Sequence, residues 1–192
     1  PHTIDLLRQR KPNLSAWTTS FSWGDMGVEF VRMIHENMYA AKVNAIIPWA
    51  GIQHPPSWIG GDPNPGNAIK VNDDGTYEIR KGYYFYKQLT RAGKRGMKVA
   101  YTSLANPQAF LIAFSGEGTE HPDAFVLSSN IFIWGLPIEI KLKGTKYTSF
   151  RAYRSSEDGQ EKYTYIGEFE VKEGSIIYDP PRGSTTSFIG VE

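Results

Sequence analysis

A short α/β segment followed by an all-β domain is the architecture that the sequence predicts, and three features predict it. Two apolar runs near the start, LSAWTTSF from Leu14 and VNAIIPW from Val43, flank an amphipathic stretch. After about Arg95 the chain turns into short β-prone segments broken by Gly, Pro and Asn. The 192 residues suffice for one ordinary domain, or for a fragment of a larger one with a small domain attached.

The elements follow in order. In PHTIDLLRQR, Ile4, Leu6 and Leu7 followed by Arg8 and Arg10 read as the tail of a helix that Lys11, Pro12 and Asn13 stop, so an internal start is expected. LSAWTTSF is short, apolar and β-prone, and a turn at Gly24 and Asp25 follows, which predicts a buried strand. Val28, Val31, Ile34, Met38 and Ala41 recur at steps of three and four and define one face of a helix, with Gly24 or Asp25 as its cap. VNAIIPW does not alternate, the pattern of a parallel strand covered on both faces. Strand, helix and strand then imply a right-handed crossover.

From Ala50 to about Arg80 the chain is rich in Gly, Pro, Asn and Asp and reads as one long loop. A loop of that length is functional or disordered, and Trp58 in its middle favours function. GYYFYKQLTRAG reads as a helix ended by Gly93. MKVAYTSL, AFLIAFSG, AFVLSSN, PIEIKLKG, SFRAYRS, KYTYIGEF and TSFIGVE then predict an antiparallel β-sandwich. The expected boundary lies near Arg95, giving domains 1–95 and 96–192.

Composition excludes several functions. Lys plus Arg (21) nearly cancels Asp plus Glu (20) and the cations are dispersed, so neither nucleic acid nor an anionic membrane surface is expected as a partner. There is no cysteine, which removes disulfides, thiolate metal sites and cysteine nucleophiles. His2, His35, His54 and His121 show no metal-ligand spacing, and no cofactor is expected. No apolar run approaches the ~20 residues of a membrane-spanning helix, and the first ten residues lack the apolar centre of a signal peptide. Eleven Tyr and five Trp suit flat ligands such as sugar rings, although β-rich domains favour aromatics in any case.

Four stretches in order resemble the C-terminal portion of glycoside hydrolase family 30, the xylanase, glucosylceramidase and β-1,6-glucanase group. AWTTSFSW resembles the family's seventh barrel strand and VNAIIPW its eighth. KGYYFYKQLTRAGKRGMKVA resembles the last barrel helix and the passage into the side domain, and DPPRGSTTSFIG resembles the closing strand. The resemblance covers nearly the whole chain. It implies the end of a (β/α)8 barrel followed by a β-sandwich, and a secreted or envelope-associated enzyme acting on a polysaccharide such as xylan. The remaining barrel segment is then an expected partner, because the family's acid/base lies on the fourth strand.

The same resemblance assigns the site residues. The family's nucleophile is a glutamate at the end of the seventh strand, in a W-x-T-E setting; here Trp17, Thr18 and Thr19 are followed by Ser20. A retaining glycosidase needs two carboxyl groups about 5–5.5 Å apart, and a serine without a base is a poor substitute. A lost nucleophile, glycan binding without cleavage, use of Asp25 or Glu29 instead, and a shifted alignment all stay open. By resemblance Trp49 forms the floor under the sugar; His54 and Trp58 are placed to contact it, Trp23 faces the cleft and Trp17 lies in the core of the wall. A Ser-His-Asp hydrolase is disfavoured because Ser20 lacks a G-x-S-x-G elbow. The alternative from another class is a non-catalytic carbohydrate-binding or structural β-sandwich module.

Overall fold

The computed structural model describes residues 2–22, 26–58, 66–131 and 137–191. The described chain is mostly β, with three helices and several sheets. It divides into two compact units, residues 1–83 and 84–192.

The first unit begins with α1 (His2–Arg10), then β1 (Trp17–Ser22), α2 (Val28–Tyr39) and β2 (Ala45–Trp49). β1 and β2 pair in parallel, as the strand–helix–strand pattern requires. Polar side chains knit the start together. Arg8 donates to the Leu14 carbonyl (3.1 Å) and to Asn44 Oδ1 (2.7 Å), which also accepts the Ala16 amide (2.9 Å). Lys42 reaches back to Asp5 at 2.8 Å.

α2 buries Val28, Phe30, Val31 and Ile34, close to the face that the three-and-four spacing defined. Its first turn differs from expectation: the N-cap is Gly27, and no side chain caps it. Against this face lies Phe21, its ring centroid 6.0 Å from that of Phe30.

Two expectations about β1 and β2 are corrected. Trp17 is 63% exposed and so is not core, and in β2 Ile47 and Trp49 are exposed. Among the described residues the pair forms a two-stranded sheet with α2 on one side, so only one face has a cover. The expected long loop is also corrected. It contains β3 (Ile52–Gln53), β4 (Ile69–Val71) and β5 (Tyr77–Ile79), with β3 parallel and β5 antiparallel to β4. Asp74 shapes the β4–β5 turn by accepting from the Thr76 amide at 2.9 Å and from its hydroxyl at 2.6 Å.

The unit boundary falls inside α3 (Lys81–Ala92). In the first unit Gly82 lies on Met26, where a Cβ would overlap the methionine side chain. In the second unit Gln88, fully buried, donates to Ser155 Oγ (2.8 Å) and accepts from the Ser187 amide (3.1 Å) and hydroxyl (2.6 Å).

The rest of the second unit is β6 (Lys98–Ala100), β7 (Ala109–Ser115), β8 (Ala124–Ser129), β9 (Ile138–Lys141), β10 (Ser149–Ser156), β11 (Lys162–Glu170), β12 (Ser175–Tyr178) and β13 (Ser184–Gly190). Six strands form an antiparallel sheet in the order β11-β10-β13-β8-β7-β6, and β12 pairs with β9 separately. Both sheets supply the core. Phe125, Phe150 and Phe188 from the large sheet cluster with Ile140, Ile176 and Tyr178 from the small one. The Phe125 and Phe188 rings stack at 4.5 Å, and Tyr178 meets Phe188 edge-on at 5.2 Å. The opposite face of the large sheet carries the buried polar residues Ser155, Ser187 and Thr185, with Ser128 and Thr185 hydroxyls 2.7 Å apart. Gln88 supplies the hydrogen bonds that burial of Ser155 and Ser187 demands.

Candidate active site

β1 carries the first candidate. Thr18 and Phe21 both touch α2, through the Thr18 Oγ1 to Asn37 Oδ1 hydrogen bond (2.9 Å) and the Phe21–Phe30 contact. Residues three apart on a regular strand face opposite sides, so both contacts require an irregularity between them. The β1–β2 register slips there, between Thr18 and Phe21, and Ser20 takes φ 54. A left-handed non-glycine residue costs about 1–2 kcal/mol, and bulges of this kind re-aim a side chain. Ser20 is accordingly exposed, as are Trp17 and Thr19.

β2 carries the second. Because the strands are parallel, their C-terminal ends lie together: Phe21 pairs with Pro48 and Ser22 with Trp49. Ser20 and Trp49 therefore sit at the same end of the strand pair. Trp49 is 51% exposed, and its peptide bond to Ala50 is cis.

His54 and Trp58 form a pair of their own beyond β3. Their rings stack at 6.0 Å with an 18° interplanar angle, and the Trp58 amide donates to the Pro55 carbonyl at 3.0 Å to close the turn. Ser57 Oγ donates to Asp73, which ties this turn to the loop between β4 and β5. His54 is half-buried and Trp58 exposed. Trp23 and Asp25 lie outside the described residues.

Glu29 stands in the first turn of α2, with both carboxylate oxygens accepting from Arg32 Nε at 2.8 Å. The hydrogen bond from Arg32 holds its pKa below the ordinary glutamate value. A carboxylate held charged by an arginine on its own helix is a poor proton donor, whereas charge is the state that a carboxylate nucleophile or base requires.

The link from Thr18 to Asn37 escaped the sequence reading. Asn37 lies off the apolar stripe of α2, and its own amide donates to the Met33 carbonyl at 2.9 Å. A polar residue at the rim of a helix face that covers a Thr-rich strand was the available signal.

Chemically the C-terminal strand ends offer a hydroxyl and the exposed Trp49, with no carboxylate on β1 or β2 themselves. The aromatic surfaces suit a sugar face. Among the described residues there is no group of three or more His, Cys, Asp and Glu side chains arranged to hold a metal ion.

The solved structures that this fold resembles include those of glycoside hydrolases. No family profile matches the chain, and no curated protein matches it in sequence. Among solved structures the particular likeness is to family 30 xylanases, in agreement with the resemblance of the motifs. The family 30 endoxylanase of Clostridium papyrosolvens C71 matches with a TM-score of 0.73 at 20% identity, over 98% of this chain and 45% of that one. The family 30 subfamily 8 xylanase of Clostridium acetobutylicum matches with a TM-score of 0.72 at 18% identity, over 95% of this chain and 44% of that one. A family 44 xyloglucanase of Paenibacillus polymyxa gives a TM-score of 0.65 at 10% identity, over 98% of this chain and 34% of that one. At such identities the likeness is one of fold. The chain spans less than half the length of the structures it matches.

Proposed function

We propose that this chain is the C-terminal portion of a secreted retaining glycoside hydrolase that acts on a polysaccharide, xylan or another β-glycan. In this reading β1 and β2 are the seventh and eighth strands of a (β/α)8 barrel, and the two sheets of residues 84–192 are the side β-sandwich. The observation that carries it is the parallel β1–α2–β2 unit, which sets Ser20 and Trp49 at the same strand ends. Barrel enzymes place their chemistry at the C-terminal ends of the strands. The exposed Trp17 and Ile47 are the apolar surface that the remaining barrel segment would meet.

Ser20 occupies the nucleophile position in this reading. The hydroxyl holds no charge with which to stabilise an oxocarbenium ion, so double displacement fails at its first step. Trp49 forms the floor beneath the sugar, and His54 and Trp58 extend the binding surface. The protein then holds glycan without cleaving it. The missing carboxylate also favours a second reading, a carbohydrate-binding module with no ancestral chemistry to restore.

The test is Ser20→Glu, with the chain co-expressed beside the upstream barrel segment of its parent gene. Hydrolysis of xylan or β-glucan by the glutamate form alone supports the nucleophile assignment. Binding by both forms with hydrolysis by neither supports the module and removes the enzyme reading.

A further inference from the structure

A concave surface lies in the β-rich unit, lined by residues that have no part in the proposed cleavage site. Lys87 and Arg91 stand four residues apart on α3, which puts two cations on one helix face, and Lys94 follows just beyond the end of the helix. This face borders a cavity of about 400 Å³, whose other walls include His121, Tyr153 and Tyr163. That volume falls in the range of small-molecule sites, about 300–1,000 Å³. Among the described residues its lining contains no aspartate or glutamate. A row of solvated lysines on an open helix needs no explanation, but this row edges a concave surface.

The aromatic wall comes from an irregularity in the sheet. The β10–β11 register slips between Ala152 and Tyr153 and again between Arg154 and Ser155, and Tyr163 takes φ 60. A bulky residue in the left-handed region is a genuine outlier, of the kind that collects at ligand sites. The result is a parallel stack of the Tyr153 and Tyr163 rings, with centroids 4.7 Å apart and 3° between planes. Lys87 Nζ lies 4.7 Å from the Tyr163 centroid, so the aromatic pair also steadies one of the cations. Burial raises the pKa of the Tyr163 phenol above its ordinary value, and a hydrogen bond with Ser187 offsets part of that effect. Lys94 donates to the Thr90 carbonyl at 2.9 Å, at the C-terminal turn of the helix.

We propose that this cavity binds an anionic saccharide, with a uronate carboxylate held by Arg91 and its flanking lysines and the sugar ring lodged against the tyrosine wall. Arginine favours the carboxylate because its planar fork matches the two oxygens. The aromatic wall favours a sugar over a bare anion. The saccharide class rests on the polysaccharide reading above, whereas the site is independent of Ser20 and of cleavage.

The test is titration of the full chain with trigalacturonate, neutral xylotriose and inorganic phosphate, by calorimetry at low salt. Trigalacturonate is expected to bind and xylotriose to bind at least about tenfold more weakly, the equivalent of losing one good charge-assisted contact. The variant Lys87→Gln/Arg91→Gln should weaken trigalacturonate by about tenfold or more, while Lys143→Gln/Lys172→Gln, of equal net charge, should stay within about twofold. Bound trigalacturonate should also shield Lys87 and Lys94 of the unmodified chain from acetylation, relative to Lys143; this readout holds even where the double variant fails to fold. Equal weakening in the two double variants, unchanged acetylation at Lys87 and Lys94, or phosphate binding as tight as trigalacturonate would each overturn the proposal. Uronate binding that persists when Ser20→Glu restores no hydrolysis leaves this site standing and removes only the cleavage reading.

Discussion

Thr18 Oγ1 donates to Asn37 Oδ1 at 2.9 Å, and this bond spans from the strand that carries Ser20 to the helix that covers it. Together with Phe21 on Phe30 it fixes β1 at two points on either side of the bulge. The two residues between those points are forced outward.

Replacing Thr18 by Val keeps the β-branched shape and removes the donor. The expected loss is about 1 kcal/mol, the net worth of one part-buried hydrogen bond. Urea unfolding of Thr18→Val checks it. A change within error would show that water replaces the hydroxyl without cost and that the Phe21 contact alone holds the strand.

Gln88 makes a larger prediction. Its amide serves Ser155 and both the amide and hydroxyl of Ser187 in a fully buried setting. Gln88→Leu is similar in size but removes the partner of the Ser187 amide and one partner of each hydroxyl, and each buried group left unsatisfied costs about 1–3 kcal/mol. The Ser155 hydroxyl retains other contacts, including the Tyr163 amide at 3.0 Å, so most of the loss falls on Ser187. Destabilisation of about 2–4 kcal/mol is expected in thermal or denaturant unfolding. Tolerance of leucine would mean that the polar face of the sheet repacks around α3.

These two bonds show what the sequence does and does not disclose. The strand–helix–strand order was legible because LSAWTTSF and VNAIIPW are unbroken apolar runs and Val28, Val31 and Ile34 keep helical spacing. β4 and β5 were missed because each is three residues long. Yet IKV and YEI alternate on either side of Asn72-Asp73-Asp74-Gly75, and a Gly-ended Asp turn between alternating segments is a hairpin signal. Trp17 is exposed in this unit although an apolar strand residue predicts core, because such a residue is core only where a second layer covers it, and coverage is a property of the whole assembly. The bulge at Ser20 lies further from view, since no residue type there demands a positive φ.

His35 supplies a pH prediction. Its ring packs on Tyr39 with centroids 4.7 Å apart. Burial lowers its pKa from the ordinary value of 6.5, and the neighbouring Glu36 offsets only part of that effect. The folded state then binds a proton less readily than the unfolded state. Stability is full above about pH 6.5 and declines as the pH falls from there towards the lower folded value. His35→Phe retains the ring and removes the titration. The thermal midpoint of the natural chain is expected to fall between pH 7.5 and 5.5, and that of the variant to fall less. Parallel curves would assign the acid sensitivity to other groups, since the lowered carboxyl of Glu29 titrates below its ordinary value of 4.5, outside this window.

Trp49 separates a binding surface from a structural one. It is 51% exposed at the end of β2, so truncation removes only about half of the area that a fully buried tryptophan would give up. Trp49→Ala is therefore expected to lower the unfolding midpoint less than Phe21→Ala, where a ring buried against Phe30 is lost at a cost of about 3–5 kcal/mol. If Trp49 is the floor under a sugar, the same alanine should weaken xylo-oligosaccharide binding by about tenfold, the scale on which an aromatic contact contributes. Calorimetric titration beside thermal unfolding reads the two effects apart. Loss of binding with stability kept supports a sugar platform at the strand ends. Loss of stability with binding kept places Trp49 in the support of the fold and moves the sugar surface to the His54–Trp58 pair.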